Sequence, residues 1–249
     1  LAQQEAAPPA SPDAFGTPIF NFNGQGYTFL NPPDTVGDVG KDHYIQMINA
    51  TWVAIYDKNT GLPTIPPFDI STLGGCATDN GDPIVLYDEL AHRWFISQFS
   101  VSGPYYNCIA VSQSGDPTGA WYRYAFLYSN TKMNDYPKYG IWPDGYYMTV
   151  NQFNGANFTW GGAGVAVFQR DATLRGQPAV MIYFDVGAVT KDYGGMLPSD
   201  LDGPAPQAGA PNYFMEWDDS SWLGDPQDTL RIWEFHTDWD NPANTTFGL

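Results

Sequence analysis

Four segments of this chain repeat one pattern, and the repeat limits the possible folds more than any other feature. A strand with aromatic residues reads HYIQMIN at 43–49, RWFISQF at 93–99, YYMTVNQ at 146–152 and NYFMEWDD at 212–219. A second apolar strand follows each, as WVAIYD at 52–57, CIAVS at 108–112, VAVFQ at 165–169 and LRIWEF at 230–235. These start near Val53, Cys108, Val165 and Leu230, at spacings of about 55, 57 and 65 residues. A period of that length with four short strands per unit predicts an all-β fold, a β-propeller of four-stranded antiparallel blades rather than a sandwich. First strands are expected at 34–40, 81–88, 135–142 and 197–203, and fourth strands near 66–71, 121–127, 179–186 and 244–249. In RWFISQF, Trp94, Ile96 and Gln98 point one way and Phe95, Ser97 and Phe99 the other. Such aromatics suit packing between neighbouring blades.

Residues 1–18 form a Pro/Ala-rich leader, expected to be an extended arm. Residues 19–249 hold the blades, at about 30–75, 76–130, 131–190 and 191–249. Four blades either close on themselves or form part of a larger ring. In the second case an open edge must be covered, because unpaired strands and apolar blade faces invite aggregation. FNFNGQGYTF at 20–29 is a candidate outer strand to lock the ring.

Charge narrows the partners. Ten Lys and Arg stand against 27 Asp and Glu, a formal net charge of −17. A nucleic acid backbone and anionic lipid would both repel such a surface. Cations, glycans or neutral partners are favoured. No apolar run approaches the ~20 residues of a membrane helix. Phosphate-loop, dinucleotide, H-E-x-x-H and C-x-x-C signatures are absent, and His43, His92 and His236 are far apart. The acidic, Tyr-rich, Lys-poor composition points to a secreted protein. In that compartment Cys76 and Cys108 are expected to form a disulfide, closing a 32-residue loop and contributing roughly 3–4 kcal/mol. Sequons at Asn49, Asn157 and Asn244 are candidate glycosylation sites.

Three constellations bear on chemistry. Acidic turns recur at blade starts, at Asp34 and Asp38, Asp79 and Asp82, Asp135, and Asp200 and Asp202. Inner strands line the axis of a propeller, so these carboxylates would gather near it and repel one another unless something compensates. Either each Asp caps its own turn through backbone N–H groups, or Asp34, Asp38, Asp79, Asp82 and Asp135 supply ligands to calcium, which tolerates irregular oxygen sets. ATDNGDP at 77–83 lacks the full spacing of an EF-hand loop. SGDPTGAW at 114–121 is close to the Asp-box of sialidases, a structural hairpin. A hydrolase would instead use Asp82 and Asp135 with Glu216 or Glu234 as acid, at the ~6.5–9.5 Å separation of an inverting pair. The few arginines (Arg93, Arg123, Arg170, Arg175 and Arg231) suggest no carboxylate-binding cluster. Exposed Trp and Tyr could stack on sugar rings.

NPPDTVGDVGKDHYIQMIN, GDPIVLYDELAHRWFISQF, DYPKYGIWPDGYYMTVNQF and AGAPNYF together resemble a family of secreted bacterial β-propeller proteins, over roughly residues 30–247. Members of that family continue with further propeller sequence. The resemblance therefore implies an N-terminal portion, with the remainder as a second chain or replaced by self-association. It brings no established activity. The expectation is a secreted, non-enzymatic module for structure, assembly or binding at the cell surface. It would hold one disulfide and perform no catalysis, with calcium as candidate cofactor and a glycan as candidate partner. The alternative is a glycoside hydrolase-like enzyme acting on an extracellular glycan.

Overall fold

The protein is seen in a computed structural model that describes residues 20–49, 52–73, 81–221 and 226–249. It is an all-β propeller of four-stranded antiparallel blades. Blade 1 comprises β1 (Val36–Val39), β2 (His43–Ile48), β3 (Trp52–Asp57) and β4 (Phe68–Asp69). Blade 2 comprises β5 (Ile84–Asp88), β6 (Arg93–Phe99), β7 (Tyr105–Ser112) and β8 (Trp121–Ser129). Blade 3 comprises β9 (Lys132–Ile141), β10 (Gly145–Asn154), β11 (Trp160–Gln169) and β12 (Met181–Phe184), with the short helix α1 (Arg170–Leu174) after β11. Blade 4 comprises β13 (Leu197–Pro198), β14 (Asn212–Asp218), β15 (Thr229–His236) and β16 (Thr246–Gly248). In every sheet the strands lie side by side in chain order, the up-and-down meander of a blade.

Period-2 alternation sends each strand's side chains to two faces, and consecutive blades bury those faces against one another. Ile45, Met47, Val53 and Ile55 of blade 1 pack on Val85, Trp94 and Ile96 of blade 2. Phe95, Ile109 and Val111, on the other face of blade 2, meet Tyr139, Tyr146, Met148 and Phe168 of blade 3. Tyr147, Val165 and Val167 then meet Phe214, Trp233 and Phe235 of blade 4. Each fully buried large side chain contributes roughly 1.5–3 kcal/mol. Among the described residues, none of these three clusters joins blade 4 to blade 1.

Between blades 2 and 3 sits a buried ionic lock. Arg170 reaches Asp88 with Nε at 2.6 Å and Nη2 at 2.8 Å, and Tyr146 donates to the same carboxylate at 2.9 Å. Asp88 is fully enclosed and also accepts from Ala91 N–H at 3.0 Å. Inner strands of blades 3 and 4 touch at Gly140, where a β-carbon would collide with the Ser199 carbonyl.

Residues 20–30 depart from expectation. They form no strand. They lie instead across the outward face of blade 1, with Phe22 on Tyr44 and Tyr56 at ring centroid distances of 6.1 and 5.1 Å. Gln25 bonds Gln46 through its backbone N–H at 2.7 Å and its side-chain amide at 2.8 Å, and Thr28 donates to Asn49 O. The inward residues 22, 25 and 28 repeat every third position, the period of polyproline-like chain rather than of a strand. The contacts are made by side chains on a sheet face, so the segment covers blade 1 without extending it.

Candidate functional site

Inner strands β1, β5, β9 and β13 lie beside one another, and their starting turns bring acidic residues together. Asp34 of blade 1, Asp82 of blade 2 and Asp135 of blade 3 meet at one end. The Asp34 and Asp82 carboxyls are close enough to share a proton, and Asn49 Nδ2 donates to Asp34 Oδ2 at 2.7 Å. Tyr136 N–H donates to Asp82 Oδ2 at 3.1 Å. Burial, then the charges of Asp135 and Asp34, push Asp82 up to about 7. Burial also raises Asp135, against the opposing pull of the Tyr136 N–H. Lys138 lies 3.6 Å from the centroid of the Tyr136 ring. Burial lowers its pKa, while Asp82 and Asp34 favour its charged form. Asp34 (φ 39°) and Tyr136 (φ 51°) both hold left-handed backbone, a strain common where geometry serves function.

Other blade-start carboxylates bridge blades. Asp38 accepts from Tyr87 N–H of blade 2 at 2.6 Å, and Asp200 of blade 4 accepts from Ile141 N–H of blade 3 at 2.7 Å. These carboxylates therefore latch neighbouring inner strands instead of capping only their own turns. Burial raises the pKa of both Asp38 and Asp200, and Asp202 lies near enough to add repulsion to each. Asp79 and Cys76 lie outside the described residues. Cys108 is buried on β7, and no described cysteine is free. Among the described residues, no group of three or more His, Cys, Asp or Glu side chains is arranged to hold a metal ion.

Glu216 sits on β14, the second strand of blade 4. It is buried; its Oε1 accepts from Gly194 N–H at 2.8 Å and its Oε2 lies 3.6 Å from Arg231, which also pairs with Asp218. Glu234 is exposed on β15 and meets His236 at 2.9 Å. Asn49 and Asn244 spend their amides on Asp34 and Asp238, whereas the exposed Asn157 turns its oxygen to Thr159. The Asp-box-like stretch forms the β7–β8 hairpin, with Asp116 accepting from Thr118 and Trp121 Nε1 donating to Pro117 O. No described helix is long and apolar enough to cross a membrane.

Two features escaped the sequence reading. Lys138 and Tyr136 complete the axial cluster; their place in DYPK, beside Asp135, was the available signal. The second is the outward face of blade 4, where Leu197, Tyr213, Met215, Trp217, Leu230 and Ile232 stand 40–58% exposed. NYFMEWDD carries apolar residues at both parities, which marks a strand prepared to bury both faces. A cavity of about 310 Å³ also lies at the far end of β9, lined by Trp142, Asp144, Pro211, His236 and Thr237 among others.

The chain matches no protein-family profile and no curated protein. Solved structures similar to it include the alpha-L-arabinanase of Cellvibrio cellulosa, at 12% identity and a TM-score of 0.41, over 82% of this chain and 70% of that one. Another is the same arabinanase complexed with arabinohexaose, at 11% identity and a TM-score of 0.39, over 84% and 73%. Likeness at that level says nothing of what this chain acts on.

Proposed function

We propose that this chain is a propeller module of the cell exterior that works by docking to another protein, without turning over a substrate. The open face of blade 4 carries this reading. Leu197, Tyr213, Met215, Leu230 and Ile232 there occupy the positions by which blades 1, 2 and 3 meet their successors, and they stand 40–58% exposed. Contiguous apolar surface of this kind marks an interaction site. The Cys76–Cys108 bridge belongs to the proposal and predicts that alkylation of both thiols requires prior reduction. Hydroxyl-radical footprinting of the protein in its native setting tests the docking surface. Met215 and Tyr213 are expected to be protected there and reactive in the dilute purified chain. Equal reactivity in both would reject docking through this face.

Asp82 favours a second reading. A carboxyl raised to about 7, beside Asp34 and Asp135, suits general acid catalysis on an extracellular glycan. Asp82→Asn would then lower release of reducing ends from a panel of neutral polysaccharides by about 10²-fold or more. Absence of release by the unaltered protein removes this reading. Calcium at the same carboxylates would displace the shared proton. Its expected signature is a rise in Tm with added calcium at pH above about 7. A Tm indifferent to calcium and chelator there would reject it.

A further inference from the structure

Independently of the docking face, we propose that the cavity between blades 3 and 4 binds a primary ammonium ion carried on a short apolar group. Its volume is about 310 Å³, at the small end of ligand pockets. Roughly 20 Å of β9 separates it from Asp135 and the acidic cluster. Three segments wall it: WPD at 142–144 after β9, APQAGAP at 205–211 before β14, and His236 with Thr237 at the end of β15. Bonds between these segments fix the walls in advance. Trp142 Nε1 donates to Ala210 O at 3.1 Å, and Trp239 Nε1 donates to Asp144 O at 2.7 Å. The fully buried Asn212 accepts from Ser199 N–H at 3.2 Å and donates to Ser199 O at 2.8 Å, closing the base of the loop that carries 205–211. Pro143, Pro206 and Pro211 each lock one backbone angle of the lining.

Side-chain chemistry selects the ligand. Most of the lining is Pro, Ala, Gly and Trp. Of the described lining residues Asp144 alone is acidic, and none is Lys or Arg. Its two carboxyl oxygens share one hydroxyl proton, from Tyr147 at 3.1 and 3.2 Å, and its own N–H also donates to it. Both hydroxyl distances are long beside the ~2.5–2.7 Å of a hydroxyl bonding a carboxylate, so Asp144 keeps acceptor capacity. Burial and the Asp144 charge push the Tyr147 hydroxyl up, so it stays protonated. That proton is spent on Asp144. Thr237 therefore supplies the proton of its 2.8 Å bond with Tyr147 and keeps its own lone pairs. His236 Nε2 is taken by Glu234 at 2.9 Å. Arg170 draws Asp144 toward its charged form, against burial, but its donors go to Asp88 and to Pro143 O. The pocket thus presents side-chain acceptors within apolar walls. An ammonium offers three donors and no acceptor, the complement of that set. An anionic ligand would meet Asp144 as a like charge. The net charge of −17 draws cations, and the Trp142 indole suits one.

Saturation-transfer NMR titration to about 10 mM tests the proposal, with circular dichroism to confirm folding. Phenethylamine is expected to bind with a Kd on the order of 0.1–1 mM. Phenethyl alcohol, of the same shape without the charge, should bind at least roughly tenfold more weakly. Asp144→Asn should weaken the amine by at least roughly tenfold and leave the alcohol unchanged. Thr237→Val keeps the shape of the wall and removes an acceptor; it should weaken the amine severalfold, and it replaces Asp144→Asn should that variant fail to fold. Nα-acetyl-lysine amide separates two sources of the same group. If it binds at least as tightly as phenethylamine, the natural occupant is a lysine side chain of another protein; if more weakly, a free amine. Equal binding of amine and alcohol would overturn the proposal. So would no binding of either amine by about 10 mM, or an amine affinity that Asp144→Asn leaves unchanged.

Discussion

The blade 2–blade 3 interface and the outward face of blade 4 are built from the same residue types, yet one is core and the other surface. Phe95 lies between Tyr139 and Tyr146 at 4.9 and 4.8 Å, and the neighbouring Arg170–Asp88 pair fixes the two sheets in register. The blade 4 face has comparable aromatic and aliphatic surface, with no buried polar anchor among the described residues. Its inward side does have such polar groups, in Asn212, Glu216 and Asp218. The difference teaches that apolar composition marks a face that can be covered. Fixed polar pairs mark the one whose partner is built in.

Mutations should break this contrast unequally. Arg170→Ala leaves Asp88 enclosed without its countercharge and is expected to cost about 3–5 kcal/mol, read as a lower denaturation midpoint in urea. Phe95→Ala is expected to cost about the same through its cavity. Acidity gives a smaller effect. Asp82 titrates near 7 when folded and near 3.8 when unfolded, so its contribution is full below the unfolded value and is lost as pH rises through about 7. The interval corresponds to about 4 kcal/mol; the carboxyl is partly exposed, and screening reduces this to about 2 kcal/mol. Unfolding between pH 5 and 8 should therefore show stability falling with pH, a trend weakened in Asp82→Asn. Asp200→Ala removes the latch to Ile141 N–H and should cost about 1–2 kcal/mol. Smallest of all, Ile232→Lys should change the stability of the dilute chain by under about 0.5 kcal/mol. A large loss there would mean that the face is packed within one chain.

The blades were legible because they rest on local rules. Alternation in RWFISQF and YYMTVNQF sorts side chains to two faces, and Gly, Pro and Asp punctuate the turns between strands. The aromatics of segment 20–29 suggest a strand, yet none forms there. Its inward residues repeat every third position, and glutamine and threonine side chains provide its hydrogen bonds. The axial site was half legible. Recurrent Asp at blade starts foretold that Asp34, Asp82 and Asp135 would gather. It did not foretell that Asp38 and Asp200 would be spent on N–H groups of other blades, since those partners lie 49 and 59 residues away in sequence.

By itself the sequence determined the repeated four-stranded unit and the acidic surface, because periodicity, turn chemistry and charge act over a few residues or over the whole chain at once. Only the tertiary structure decided which carboxylates meet at one end of the inner strands, which latch a neighbouring blade, and which apolar residues of blade 4 are exposed. Those outcomes depend on distances between segments about 50 residues apart, fixed when the blades stack.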